Sequence, residues 1–73
     1  MNKAKLKSVM ALYEDTNETL AKYLGISMQS FSSKINEKVL PSGKKAEFTQ
    51  NEIRAMIRKY NLTPDDVDAI FFG

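Results

Sequence analysis

A chain of 73 residues that is 42% hydrophobic and 27% charged has the make-up of one small globular domain spanning 1–73, and folding at that size buries only about 60% of the surface of the unfolded chain. It holds neither cysteine nor histidine. That removes disulfides, thiolate metal sites and the commonest general base, and so argues against an enzyme and against a metal or other cofactor.

The net charge is only +2, but its distribution is uneven: all 11 Lys and Arg lie within residues 1–60 with six of the nine acids, while residues 61–73 hold three Asp. A cationic body attracts polyanions, although ordinary solvated surface accounts for the charge equally well. No apolar run approaches the roughly 20 residues that span a bilayer. No apolar stretch of the secretory kind follows the basic segment Met1–Lys5, so a cytoplasmic protein without a membrane partner is expected.

Leu6, Val9, Met10 and Tyr13 recur at helical spacing and predict a first amphipathic helix. Lys3, Lys5 and Lys7 crowd its start, where cations oppose the helix dipole; this pattern fits solvated lysines, a frayed end or an anionic neighbour. Asp15-Thr16-Asn17-Glu18 is rich in N-cap residues and opens a second helix through Leu20, Ala21 and Leu24, which Gly25 ends. Ser27 caps a third helix with Met28, Phe31 and Ile35 on its apolar side.

After Asn36 the periodicity stops, and Pro41-Ser42-Gly43 among lysines reads as an exposed loop over 37–48. Lys38–Leu40 and Ala46–Phe48 flank the turn closely enough to pair, but neither alternates well, so no hairpin is assigned. Thr49-Gln50-Asn51-Glu52 is a capping box for a fourth helix carrying Ile53, Met56, Ile57 and Tyr60. Thr63-Pro64-Asp65-Asp66 opens a fifth, with Val67, Ile70 and Phe71 turned inward. The three Asp residues near its start suit the helix dipole better than they suit a metal cluster. The fold class expected is all-α, a compact five-helix bundle.

Within Glu18–Phe31, a small Ala21, a permissive Gly25 and apolar Leu20, Leu24, Ile26 and Phe31 provide what a steep, close crossing of two helices needs. This stretch resembles the helix-turn-helix of phage repressor and Cro-type regulators, the lambda-repressor-like domains, and in particular the short regulators of phages and prophages of Gram-positive bacteria. Phe31-Ser32-x-Lys34-Ile35-Asn36, Glu47-Phe48-Thr49-Gln50-x-Glu52-Ile53 and the segments Tyr60–Thr63 and Ile70–Phe72 extend the resemblance over nearly the whole chain. It implies a transcriptional regulator of a bacterial host cell that occupies operator DNA, with residues 16–36 as the docking unit.

In that family the second helix of the unit enters the major groove. Carried onto this sequence, Gln29, Ser32 and Ser33 share the outward face, and Gln29 matches adenine N6 and N7. Met28 has two open roles, core packing, which its spacing favours, and contact with a thymine methyl. Thr16, Asn17, Thr19, Lys34, Asn36, Lys38, Lys44 and Lys45 are the phosphate-contacting candidates by resemblance or charge.

Two positions depart from the family pattern. Asn17 stands where relatives often have glutamine, and Glu37 with a longer loop stands where they usually have glycine and a short connection. The adjacent Phe71 and Phe72 cannot share one helix face, so one of them is expected at the surface, where it suits a homodimer binding two half-sites; docking onto the protein's own core accounts for it equally well. No small-molecule ligand is expected. A protein-interaction module, antirepressor-like or antitoxin-like, is the alternative function for the same fold.

Overall fold

The computed structural model describes residues 1–73 and contains five α-helices and no β-strand. They are α1 (Lys3–Leu12), α2 (Asn17–Leu24), α3 (Met28–Ile35), α4 (Gln50–Tyr60) and α5 (Pro64–Val67), the last running on into a π-helical turn over Asp68–Phe72.

Every helix starts on a side-chain cap. Asn2, Thr16, Ser27, Thr49 and Thr63 accept the backbone N–H three residues on, from Lys5, Thr19, Ser30, Glu52 and Asp66, at 3.0–3.2 Å. In three of them the side chain of Thr19, Glu52 or Asp66 accepts the N–H of the cap residue in return. Each cap contributes about 1 kcal/mol to a helix of few turns. Asn2 is the cap that the lysine-rich start of α1 concealed.

The first four helices also end alike. Glu14, Gly25, Glu37 and Asn61 adopt left-handed conformations with φ of 57°, 73°, 51° and 51°. The residue after each donates its N–H back into the last turn, Asp15 to Met10, Ile26 to Ala21, Lys38 to Ser33 and Leu62 to Ile57. These are Schellman closures, which satisfy carbonyls that a helix end leaves free. Gly25 adopts this conformation without penalty, whereas a residue with a Cβ pays about 1–2 kcal/mol.

The core gathers Leu6 and Met10 from α1, Leu20 and Ala21 from α2, Phe31 and Ile35 from α3, Met56 and Tyr60 from α4, Phe48 from the segment before α4, and Ile70 from the π-helical turn. Phe31 lies edge-on to Phe48 at 5.7 Å between centroids, and Phe48 to Phe71 at 6.5 Å. Leu24, Ile26 and Ile53 pack on the margin. The radius of gyration is 11.7 Å, against about 11 Å for a compact chain of this length.

Three side chains differ from the sequence expectation. Met28, whose spacing favoured the core over its other role, is 46% exposed. Of the inward trio, Ile70 alone is fully buried while Val67 and Phe71 are half-buried. Phe72 is the surface aromatic, at 73% exposure. The 37–48 loop is more ordered than its composition suggests: Val39 and Lys45 form an isolated antiparallel bridge around Gly43. Leu40 donates to Lys44 at 2.7 Å and Ala46 to Lys38 at 2.8 Å.

Candidate functional site

α3 has one buried side and one open side. Phe31 and Ile35 are 0% and 2% exposed, and with 100° per residue their burial turns Gln29, Ser32 and Ser33 away from the core. Gln29 and Ser32 are exposed and Ser33 is half-buried. Gln29, Ser32 and Ser33 line a depression with Asn36 and Lys38 that holds no hydrophobic residue. Gln29 and Ser33 also border a second groove, walled by Leu40, Lys45 and Thr49, between α3 and the loop. The exposed Met28 stands at the start of this face, beside a depression shared with Lys7, Asn17 and Glu18.

The scaffold that aims this face is ionic as well as apolar. Lys34 donates to both Glu52 oxygens at 2.8 Å, and Glu52 also accepts the Thr49 N–H at 2.8 Å. One carboxylate therefore caps α4 and tethers α3 to it. Burial alone would raise the Glu52 carboxyl, but the Lys34 hydrogen bonds and the Thr49 amide outweigh it and hold the group below its ordinary range. Lys34, a phosphate candidate from the sequence, is half-buried and has its ammonium engaged by the Glu52 carboxylate.

Asp15 organises the opposite end of the unit. Tyr60 Oη donates to it at 2.8 Å and Thr19 Oγ1 at 2.9 Å, with Lys59 Nζ 3.4 Å away. Burial works to raise the Asp15 carboxyl, and the Tyr60 and Thr19 hydrogen bonds with the Lys59 charge lower it overall. The Tyr60 phenol is pushed upward by burial and by the Asp15 carboxylate. Tyr13 stacks obliquely on Tyr60 at 5.0 Å and donates its hydroxyl to the Tyr60 carbonyl at 3.0 Å. Lys59 lies 4.7 Å over the Tyr23 ring.

The remaining sequence candidates fall into two groups. Thr16 and Thr19 serve the α2 cap, and the single Thr19 hydroxyl proton points to Asp15 and the Thr16 carbonyl, so Thr19 has no donor left for an outside anion. Asn17 and Asn36 sit at the two outer ends of the α2–α3 unit and accept hydrogen bonds from Lys7 and Lys3 of α1. Lys38, Lys44 and Lys45 are exposed on the loop. Glu37 holds the left-handed position after α3, the conformation a glycine adopts most easily, and its carboxylate lies 3.3 Å from the Met1 amine.

In the sequence Lys3 and Lys7 stand out only as cations at a helix start. Their spacing of four residues, which sets both on one side of α1, was the available signal. No group of three or more acidic, histidine or cysteine side chains could hold a metal ion, and no helix is long and apolar enough to cross a membrane.

No family model matches the chain, and neither a search of curated proteins nor a search of solved structures finds a significant match.

Proposed function

We propose that α2 and α3 form a helix-turn-helix of the phage repressor and Cro type, and that the protein is a transcriptional regulator that binds double-stranded operator DNA with α3 in the major groove. The observation that carries this reading is the open face of α3. Gln29, Ser32 and Ser33 lie opposite the buried Phe31 and Ile35, on a helix fixed to α4 by the Lys34–Glu52 pair. A rigid helix presenting an amide and hydroxyls fits base-edge readout.

Gln29 is the chief base reader, a bidentate partner for adenine N6 and N7, and Ser32 and Ser33 add permissive contacts. Met28 is exposed and supplies an apolar surface for a thymine methyl. Asn17, Asn36, Lys38, Lys44 and Lys45 meet phosphates, which fix register without reading sequence. Thr16 joins them through its hydroxyl proton. The protein acts by occupying a promoter in the bacterial cytoplasm and not by chemistry.

A second copy completes the operator complex. Phe72 projects at 73% exposure beside a mixed depression in which Met1, Phe48, Ile53 and Phe71 alternate with Lys34, Glu37, Glu47 and Gln50, and its exposed ring is the contact we assign to a two-fold dimer.

Selection of binding sites from random duplexes by the purified protein tests the proposal. It should enrich one sequence with two-fold symmetry and half-sites about 10 bp apart. Binding to the selected duplex should weaken steeply with salt, by about 0.9 log units per log unit for each phosphate neutralised. No enrichment together with salt-insensitive binding would replace this reading with the protein-interaction module.

A further inference from the structure

We infer that α1 is a third element of the duplex-binding surface, and that Lys3 and Lys7 bind backbone phosphates at the two ends of the α2–α3 unit. The inference rests on the operator-binding reading above and adds two residues and an element to it. Lys3 and Lys7 are four residues apart on α1, about 6 Å along its axis, so they share a face. Their side chains diverge from there. Lys7 Nζ donates to Asn17 Oδ1 at the first residue of α2, and Lys3 Nζ donates to Asn36 Oδ1 at the end of α3.

The chemistry of these two pairs differs from that of the other bonded lysines. Lys34 and Lys59 meet carboxylates and are neutralised there. Lys3 and Lys7 meet amide oxygens, so each retains its whole positive charge. The bond also fixes each amide, because with Oδ1 occupied by the ammonium the Nδ2 group must point elsewhere. Asn36 Nδ2 reaches toward Ser32 Oγ at a long 3.4 Å. Each Lys–Asn pair then presents mostly N–H donors, two on the ammonium and those of the amide that are not already given to a neighbour, beside the one lone pair left on Oδ1. A group of donors that carries net positive charge selects an oxyanion and repels a cation.

The surrounding acids do not cancel these charges. Asp15, which borders the same depression as Lys7, is occupied by Tyr60, Thr19 and Lys59. Glu37, the neighbour of Asn36, faces the Met1 amine. Glu18, exposed on the first turn of α2, borders the same depression as Lys7 and competes for its charge where water screens it. Lys5 makes the useful contrast: it lies on the same helix but borders a different depression, with Val9, Leu12 and Asp66.

The test measures anisotropy of a labelled random-sequence duplex with the full chain between about 50 and 200 mM salt. For Lys3→Gln with Lys7→Gln the log–log slope should become shallower by about 1.8, and each single variant should remove about half of that. Lys5→Gln removes the same charge and should leave the slope unchanged. Lys3→Arg with Lys7→Arg should keep the wild-type slope. Far-UV circular dichroism and thermal melting establish that each variant is folded, and the single variants serve if the double one is not.

A steep wild-type slope that the glutamine variants do not change overturns the inference and leaves operator binding by α3 standing. So does an equal loss in Lys5→Gln, which would reduce the effect to net charge, or failure of the arginine variants to keep the slope. A wild-type chain that binds no duplex removes both readings together.

Discussion

Two polar regions of this small domain use similar side chains to opposite ends. At the junction of α1, α2 and α4, Asp15 is held by a phenol, a hydroxyl and an ammonium, and Tyr13 returns a hydrogen bond to the α4 backbone. Along the outer side of α3, Gln29 and Ser33 line open grooves and leave their hydrogen-bonding capacity to solvent. Polar groups satisfied inside the protein serve stability, because removing one leaves its partners desolvated and unpaired. Polar groups left over on a rigid support contribute little to folding and are available to a ligand. The Lys34–Glu52 pair marks the border between the two regions, since it sits on α3 but faces inward.

Breaking that border should have the largest effect. Glu52→Ala strands the Lys34 ammonium and removes half of the α4 capping box, and should cost about 3 kcal/mol in urea unfolding. A loss no larger than that of an exposed substitution would mean that the pair does not hold α3. Tyr60→Phe should come next, at roughly 1–2 kcal/mol, because Asp15 accepts the phenol proton.

The pH dependence follows from the same two carboxylates. Asp15 and Glu52 are both lowered on folding, so their contribution is complete above the unfolded values near about 4. It is lost as pH falls through the lower folded values. The urea midpoint should therefore drop on acidification below about pH 4, and Asp15→Asn should reduce the drop. An unchanged pH profile in that variant would remove Asp15 from the network. The smallest stability effect belongs to Gln29→Ala, within about 0.5 kcal/mol. In duplex binding the same change should abolish roughly 1–3 kcal/mol of preference at one base pair. Equal losses on selected and random duplexes would take Gln29 out of the reading role and blur the contrast between the two regions.

Helix number and most helix starts were legible in the sequence, because Thr16, Ser27, Thr49 and Thr63 are local signals for local hydrogen bonds. Gly25 announced its own turn. Glu14 and Glu37 did not, since a glutamate carries no mark of the left-handed conformation that tertiary packing imposes on it. The outward set Gln29, Ser32 and Ser33 could be read from the spacing of Phe31 and Ile35. Met28 could not be decided, because a helix's first turn satisfies the apolar spacing whether or not anything covers it. The Lys34–Glu52 pair was hidden for a different reason: Glu52 lies 18 residues on, and spacing within a helix says nothing about charge pairs between helices.

The hydrogen bond from the Asn2 amide to the Ile70 carbonyl, at 2.6 Å, brings the start of α1 against the π-helical turn. Joining these two segments closes a loop of nearly the whole chain, the costliest closure in entropy that the sequence offers. That contact should therefore form late in folding and open first under tension applied at the two ends. With the ends so near each other, a short linker between them and a cut in the exposed turn at Gly43 should give a circular permutant with the same core. In such a permutant α5 with its π-helical turn would be followed directly by α1, so the closure that is long-range here would become local and the folding rate should rise.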